Sequence, residues 1–393
     1  MSFSEFNRVK LNEALDFYNG KKRPNSNGDI PVYGGNGILD FCNDYNTEGD
    51  NIIIGRVGAY CGNVNYVRGK CWISDNAILT KSKNDFDSSF LYYVLVNENL
   101  HQHHIGSSQP LLTQGILKTI EINKPDYVEQ KKIAKLLSSL DEKIEVNNQI
   151  NKTLENMAQA IFKQWFVDFE FPNEDGEPYL SSGGEMVDSE LGMIPKGWEV
   201  KGLDDIAEYL NGLAMQKFRP EENERSYPVL KIKELRQGAT SSDSDICSMN
   251  IEKRYVVKDG DVIFSWSGSL LVDIWCGGFC GLNQHLFKVT SDKYEKWFYY
   301  YWTNYHLERF ISIAKSKATT MGHINRKDLT DSKVVVPSED IYIKATSFLK
   351  PILDRLTESK IESRQLNELR DTLLPKLMSG EIRVPLDSEG EAS

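Results

Sequence analysis

EQKKIAKLLSSLDEKIEVNNQINKTLENMAQAIFKQWFVDFE, from Glu129 to Glu170, contains neither Pro nor Gly. Apolar residues recur along it mostly at steps of three and four: Ile133, Leu137, Leu140 and Ile144, then Ile150, Leu154, Met157 and Ile161. That spacing predicts one long helix with an apolar stripe that needs a partner. A second stretch, Glu339 to Gly380, repeats the pattern with Leu349, Ile352, Leu353 and Leu356, then Leu366, Leu369, Leu373 and Leu377. Both are polar in the middle, at Asn147 to Asn151 and Ser359 to Ser363, and these residues are expected to face solvent. Two similar stripes predict one helix pair, packed through Leu137, Leu140, Ile144, Leu154 and Ile161 on one side and Leu349, Leu356, Leu366 and Leu373 on the other. About forty residues at about 1.5 Å each reach about 60 Å, longer than a domain of about 100 residues.

The sequence around the helices is duplicated. VKLNEALDFYNGKK at Val9 parallels VKGLDDIAEYLNGLAMQK at Val200, each read as a short amphipathic helix ended by Asn-Gly. EGDNIIIGRVGAYCGNV at Glu48 parallels KDGDVIFSWSGSLLVDIW at Lys258, each a turn, a buried strand and Gly-rich bends. CWISDNAILTK parallels FCGLNQHLFKV, and FLYYVLVNENLHQHH at Phe90 parallels WFYYYWTNYHLERF at Trp297, two aromatic helices. LLTQGILKTIEINKP, ending at Pro125, parallels TTMGHINRKDLTDSKVVVP, ending at Pro337. A repeat of about two hundred residues is far longer than those of solenoids. Strands and helices mix without regular alternation, so the fold class is α+β with antiparallel or mixed sheets. The expected layout is a first globular domain over 1–125, a helix over 126–169, an acidic linker over 170–196, a second globular domain over 197–337, a helix over 338–380 and an acidic tail over 381–393. The linker, with Pro, Gly and Ser but no apolar period, is expected to be an exposed loop.

At 393 residues, 40% hydrophobic and 26% charged, the composition is that of a globular protein of two or more domains. The net charge of −11 is unevenly spread: Asp168–Lys196 carries −7 and Glu381–Ser393 carries −3, leaving −1 for the rest. The globular parts are therefore nearly neutral, which leaves room for a locally basic surface. Met1–Leu15 has no apolar core of a signal peptide and no window approaches eighteen apolar residues, so no membrane association is expected and the cytoplasm is the expected compartment. The six cysteines form no CxxC pair, and His101, His103 and His104 have only Glu98 nearby at helical spacing, so no metal site is expected.

The chain lacks GxxxxGK[ST], HExxH, GxSxG and HxE with PCxxC, and it lacks the Asn-Pro-Pro or Asp-Pro-Pro tetrad of an adenine methyltransferase. No catalytic residue is assigned. What remains are polar and basic residues in loops beside strands: Lys21, Lys22, Arg23, Asn36, Arg56, Tyr60, Ser107, Ser108 and Gln109 in the first half, and in the second Gln216, Lys217, Arg219, Ser267, Ser269, Lys315, Lys317, Thr319, Thr320, His323, Asn325 and Arg326. Lys and Arg neutralise phosphates, while Asn, Gln and Arg make paired hydrogen bonds to purine edges. Surface solvation accounts for any one of them alone. The set, present in both halves, points to DNA binding.

The duplicated layout, the helix PDYVEQKKIAKLLSSLDEKIEVNNQINKTLENMAQAIFKQWFVDF, the segment LGMIPKGWEV at Leu191 and the segment LLPKLMSGEIRV at Leu373 resemble the specificity subunit of type I restriction-modification enzymes over nearly the whole chain. The resemblance implies two target recognition domains that each read one half of a split sequence in double-stranded DNA. It further implies that the two long helices pack antiparallel as a spacer and dock two adenine methyltransferase subunits, to which endonuclease-translocase subunits add. S-adenosylmethionine, ATP and magnesium would then belong to those partners, and this chain would hold no cofactor. The recognition domains are the variable parts of that family, so the family supplies no base-contacting residues. IYIKATSFLKPILDR departs from the pattern of the first helix, and Pro351 is expected to bend or restart the second one. Two other readings stay open at this point: a fused methyltransferase-recognition chain, and a scaffold that binds only proteins.

Overall fold

The computed structural model describes residues 6–106, 109–317 and 322–385, except for the side chain of Lys317. It divides into two compact units, the described residues up to Lys143 together with those from Leu366 onward, and Ile144–Gln365. Each unit takes part of both long helices, so the division falls inside the helices, which the expected layout sets apart as separate segments.

The first unit contains β1 (Asn7–Lys10), α1 (Leu11–Ala14), β2 (Leu15–Asn19), β3 (Ile30–Gly34), β4 (Gly37–Cys42), β5 (Asp50–Gly55), β6 (Val64–Arg68), β7 (Trp72–Ile73), β8 (Ala77–Ser82), α2 (Ser88–Asn97), α3 (Gln114–Leu117) and β9 (Glu121–Lys124). One antiparallel sheet has the order β2-β8-β5-β6, and a smaller mixed sheet has the order β4-β3-β7. The central strand β5 is apolar without alternation because it is covered on both faces. Ile52 and Ile54 point into a core with Phe90 and Leu91 of α2, while Ile53 points to Cys71 and Ile73. Ile133, Leu137, Leu374 and Leu377 of the long helices join the first of these cores.

α4 (Tyr127–Phe162) starts in this unit, where the Asp126 carboxylate accepts the Glu129 N–H and so caps the helix. A π-helical turn, Lys163–Val167, follows it and buries Trp165 and Phe166.

The second unit contains β10 (Met186–Ser189), β11 (Gly192–Pro195), β12 (Glu199–Gly202), α5 (Leu203–Ile206), β13 (Glu208–Asn211), β14 (Ser226–Leu230), α6 (Ile232–Gln237), β15 (Ile246–Ser248), β16 (Val256–Val257), β17 (Val262–Ser265), β18 (Leu271–Ile274), β19 (Cys280–Leu282), β20 (Leu286–Thr290), α7 (Lys296–Tyr305), α8 (Leu307–Lys317), α9 (Arg326–Thr330) and β21 (Lys333–Val336). Its sheets repeat the first unit's plan: β13-β20-β17-β18 is antiparallel and β15-β14-β19-β16 is mixed. β17 is again covered on both faces, with Val262 and Phe264 on one core and Ile263 on another. α10 (Glu339–Ser379) begins here and contributes Leu349 and Leu353 to the larger core.

Four expectations are corrected. The segments at Val9 and Val200 are not amphipathic helices ended by Asn-Gly. Each gives one helical turn, α1 or α5, and then a strand, β2 or β13. The glycines serve a close approach, since a Cβ on Gly20 would lie 1.8 Å from the Ser74 carbonyl oxygen, and one on Gly212 2.2 Å from that of Asn283. The acidic stretch 170–196 is not simply an exposed loop. β10 and β11 form a hairpin, Ile194 and Phe171 are buried, and the Phe171 ring stacks on Tyr179 and Trp198. Pro351 does not restart α10, which runs unbroken from Glu339 to Ser379 with Pro351 exposed on its surface.

The fourth correction concerns the polar middles. Asn147, Asn151, Ser359 and Ser363 are all buried, and the Asn147 side-chain amide donates to Glu362 Oε2 at 2.9 Å. The reason is phase. Ile133, Leu137, Leu140, Ile144, Asn147, Asn151, Leu154, Ala158 and Ile161 keep strict steps of four and three, and so do Leu349, Ile352, Leu356, Ser359, Ser363, Leu366, Arg370, Leu373 and Leu377. The polar residues hold seam positions. Met157 and Leu369 fall off the seam and are 49% and 46% exposed. Of the packing residues named from sequence, Leu137, Leu349 and Leu356 are buried, while Leu140, Ile144, Leu154, Ile161, Leu366 and Leu373 are half-buried. Within each unit the helices run antiparallel: in the first, Arg370 meets Asp141 at 2.8 Å and Arg383 meets Glu129, and in the second Trp165 meets Phe348. No helix among the described residues is long and apolar enough to cross a membrane.

Candidate nucleic-acid interface

In the first unit, register collects the loops at one end of the sheet. Asn19 lies opposite Ile78, Gly55 opposite Ala77 and Ile54 opposite Val64. The turns after β2, after β5 and before β8 therefore share that end. The Gly34–Gly37 turn joins them, because a Cβ on Gly35 would lie 3.3 Å from Gly55 Cα. The segment before α3 is tied in by bonds from Gly58 N–H to the Pro110 carbonyl and from Leu112 N–H to the Arg56 carbonyl. Lys21, Asn36, Arg56, Tyr60 and Gln109 thus lie on neighbouring loops. Lys22 and Arg23 follow Lys21, all three exposed, and the Arg23 guanidinium pairs with Asp40 at 3.0 Å. Ser107 and Ser108 lie outside the described residues.

The second unit repeats the arrangement. Leu213 bridges to Asn283 and Ser267 to His323, so the loops after β13, after β17, before β20 and before α9 meet at the same end of the sheet. Gln216, Lys217 and Arg219 stand on the first of these loops and are exposed. Ser269 and Lys315 line a cavity of about 370 Å³. Ser267 is buried, and its hydroxyl is 3.0 Å from His285 Nδ1. Arg326 donates to the Tyr209 carbonyl at 3.2 Å and lies over the Phe287 ring, which fixes its direction. Asn325 is exposed at the start of α9, and the exposed His323 sets its ring edge-on to Trp266. Thr319, Thr320 and the side chain of Lys317 lie outside the described residues.

A cleft of about 920 Å³ opens at this end, lined among others by Gln216, Arg219, Lys231, Lys233, Gln284 and His285. The last four are absent from the candidates read from sequence. The duplication held part of the signal: CWISDNAILTK against FCGLNQHLFKV brings the two turns together but sets Ser74 against Leu282, and the sheet register moves the match by one residue, so that Ser74–Asn76 corresponds to Asn283–His285. Lys231 pairs with Asp245, and that hydrogen bond, with the charge behind it, holds the Asp245 carboxyl below its ordinary range. Asp245 also lines the cleft and takes up the charge of Lys231, which leaves Arg219 and Lys233, beside the amide side chains of Gln216 and Gln284, to suit phosphate and base-edge contacts.

Other polar clusters have structural partners. His101 Nδ1 is 2.8 Å from the Cys61 carbonyl oxygen, and no group of three metal-ligating side chains occurs among the described residues. Cys276 and Cys280 are buried and unbonded to each other, and burial pushes their thiols up to about 11 and about 12.

Comparison with known proteins agrees with this duplicated plan. The family model of the type I restriction modification DNA specificity domain matches residues 4–156 and 195–369. The MjaIX specificity subunit of Methanocaldococcus jannaschii is 33% identical over 318 residues, covering 77% of this chain and 71% of that one. The HindI specificity subunit of Haemophilus influenzae is 23% identical over 354 residues, covering 75% and 77%. In fold, the crystal structure of a type I restriction-modification S subunit from M. genitalium aligns over 95% of this chain and 96% of that one, with a TM-score of 0.64 at 17% identity. Two matched segments, each bearing one loop-rimmed α+β unit, make the chain a member of the type I restriction-modification specificity subunit family, with two target recognition domains.

Proposed function

We propose that this chain chooses the DNA sequence at which partner enzymes act and carries no catalytic centre of its own. The observation behind this reading is that both family-matched segments build the same sheet and gather basic and amide side chains on loops at the same end of it. Each loop cluster enters a major groove of double-stranded DNA and reads one half of a split sequence. Lys217 and Arg219 hold phosphates, and amide side chains read base edges.

The long helices set the gap between the half-sites and dock two adenine methyltransferase subunits, with endonuclease-translocase subunits joining them. Apolar side chains off the heptad seam support a docking role: Val146 and Met157 on α4, and Ile343, Phe348 and Leu369 on α10, are all exposed. S-adenosylmethionine, ATP and magnesium are assigned to the partners.

Single-molecule methylome sequencing of a methylation-free host tests the reading. A split motif methylated only when this chain and a cognate methyltransferase subunit are expressed together supports it. Methylation by this chain alone would show a catalytic centre and overturn the non-catalytic assignment. No methylation, together with no DNA footprint from the assembled complex, would leave a scaffold that binds only proteins.

A further inference from the structure

The turn between β19 and β20 is held by three hydrogen bonds. Asn283 N–H donates to the Leu230 carbonyl at 3.2 Å, Leu286 N–H to the Asn283 carbonyl at 3.0 Å, and the Asn283 side-chain oxygen accepts the His285 N–H at 3.2 Å. The next two side chains, Gln284 and His285, line the 920 Å³ cleft. His285 Nε2 is 3.3 Å from the Gln284 amide nitrogen, and its Nδ1 is 3.0 Å from Ser267 Oγ. An amide nitrogen can only donate, so Nε2 is the acceptor and the ring proton sits on Nδ1, where it is donated to the Ser267 oxygen. Ser265 Oγ donates in turn to the Ser267 carbonyl, and both serines are buried.

This relay uses one amide hydrogen of Gln284 and restrains its amide group. Giving His285 the hydrogen anti to the carbonyl leaves the syn hydrogen and the carbonyl oxygen side by side, which is the pattern that pairs with the N6 amino group and N7 of adenine. Arg219 and Lys233 on the cleft walls supply charge for the adjoining phosphates. The geometry points to Gln284 as the residue that reads one adenine in the half-site of the second unit, with Ser267 and His285 as positioning residues. The inference rests on the DNA-reading role proposed above and names the residue and base through which it acts. The corresponding turn of the first unit, Ser74–Asn76, keeps the same close backbone approach through Gly20 but offers Asp75 and Asn76 instead, so the two units share a frame and differ in what it presents.

The test uses the chain assembled with its methyltransferase partner, with methylome sequencing and competition binding to duplexes varied one base at a time. Gln284→Ala is expected to lower discrimination at a single adenine about ten- to hundredfold, leaving the other half-site unchanged. In Gln284→Glu the carboxylate only accepts, so preference at that position moves toward cytosine, which offers its N4 hydrogens. Ser267→Ala relaxes the same position less, and Ser267→Thr, which keeps the hydroxyl, restores it. A wild-type split motif that both Gln284 variants leave unchanged at every base overturns the inference and spares the proposed function. Absence of any split motif for the wild type overturns the function beneath it. Competition binding reads the base preference directly where a variant's methylation is too low to score.

Discussion

His306 shows how burial at one residue becomes a property of the fold. Its Nε2 donates to the Lys333 carbonyl at 2.9 Å, and burial lowers its pKa from 6.5 to about 4. The folded chain refuses a proton that the unfolded chain accepts below pH 6.5. The stability contributed by His306 is therefore complete above that pH and is lost as pH falls through about 4, in total about 3 kcal/mol. Urea unfolding at pH 7 and pH 5 should show a loss that largely disappears in His306→Gln. Equal losses in the two chains would trace the pH dependence to other groups. Arg219 belongs to the same scale but reports on binding: if it holds a phosphate, Arg219→Ala weakens DNA binding at every sequence and lowers the slope of log K against log salt by about one. A weaker complex with an unchanged slope would place Arg219 off the backbone. Residue types in the candidate site were legible where they stand on loops, as with Gln216 and Arg219. Ser267 reads as a surface hydroxyl and is buried, because its partner His285 is eighteen residues away. Side-chain partners across strands leave no local spacing to read.

At the scale of elements, the period of the long helices was legible and its phase was not. Leucines and isoleucines define the seam up to Ile144 and again from Leu154, and Asn147 and Asn151 carry it across the gap in polar form. Hydrophobicity alone breaks there, whereas the steps of three and four do not. The helical turns α1 and α5 are shorter than their helix period suggests, for a related reason. Leu11, Ala14 and Leu15 fit a helix period, but the following Phe17 and Tyr18 pair with β8, and that long-range pairing wins. Pro351 gives an element-scale prediction. In the middle of α10 it forfeits a backbone hydrogen bond yet lies on the exposed face, so Pro351→Ala should restore the bond with no loss of packing. The expected gain is about 1 to 3 kcal/mol, read as a higher urea midpoint with an unchanged slope. A midpoint that stays or falls would show that the helix needs the local shape that proline imposes.

For the whole molecule, the buried polar layer constrains how the long helices can be lengthened. Four residues inserted into α4 alone would move Asn147 away from Glu362 and set buried polar groups against apolar ones, at about 1 to 3 kcal/mol for each group left unsatisfied. Seven residues placed in both helices, after Asn151 and after Glu358, keep the seam in phase and the layer paired. Each helix then grows by about 10 Å, close to three base pairs at about 3.4 Å each. On the proposed reading, the methylated motif keeps both half-sites and its gap widens by about three base pairs. Methylome sequencing of the doubly extended chain with its methyltransferase measures that gap directly. An unchanged gap with both half-sites intact would remove the helices from the role of ruler and leave them as docking elements alone. Loss of one half-site would show instead that the seam also orients a recognition unit, because a register error reaches the core through Leu349 and Leu353.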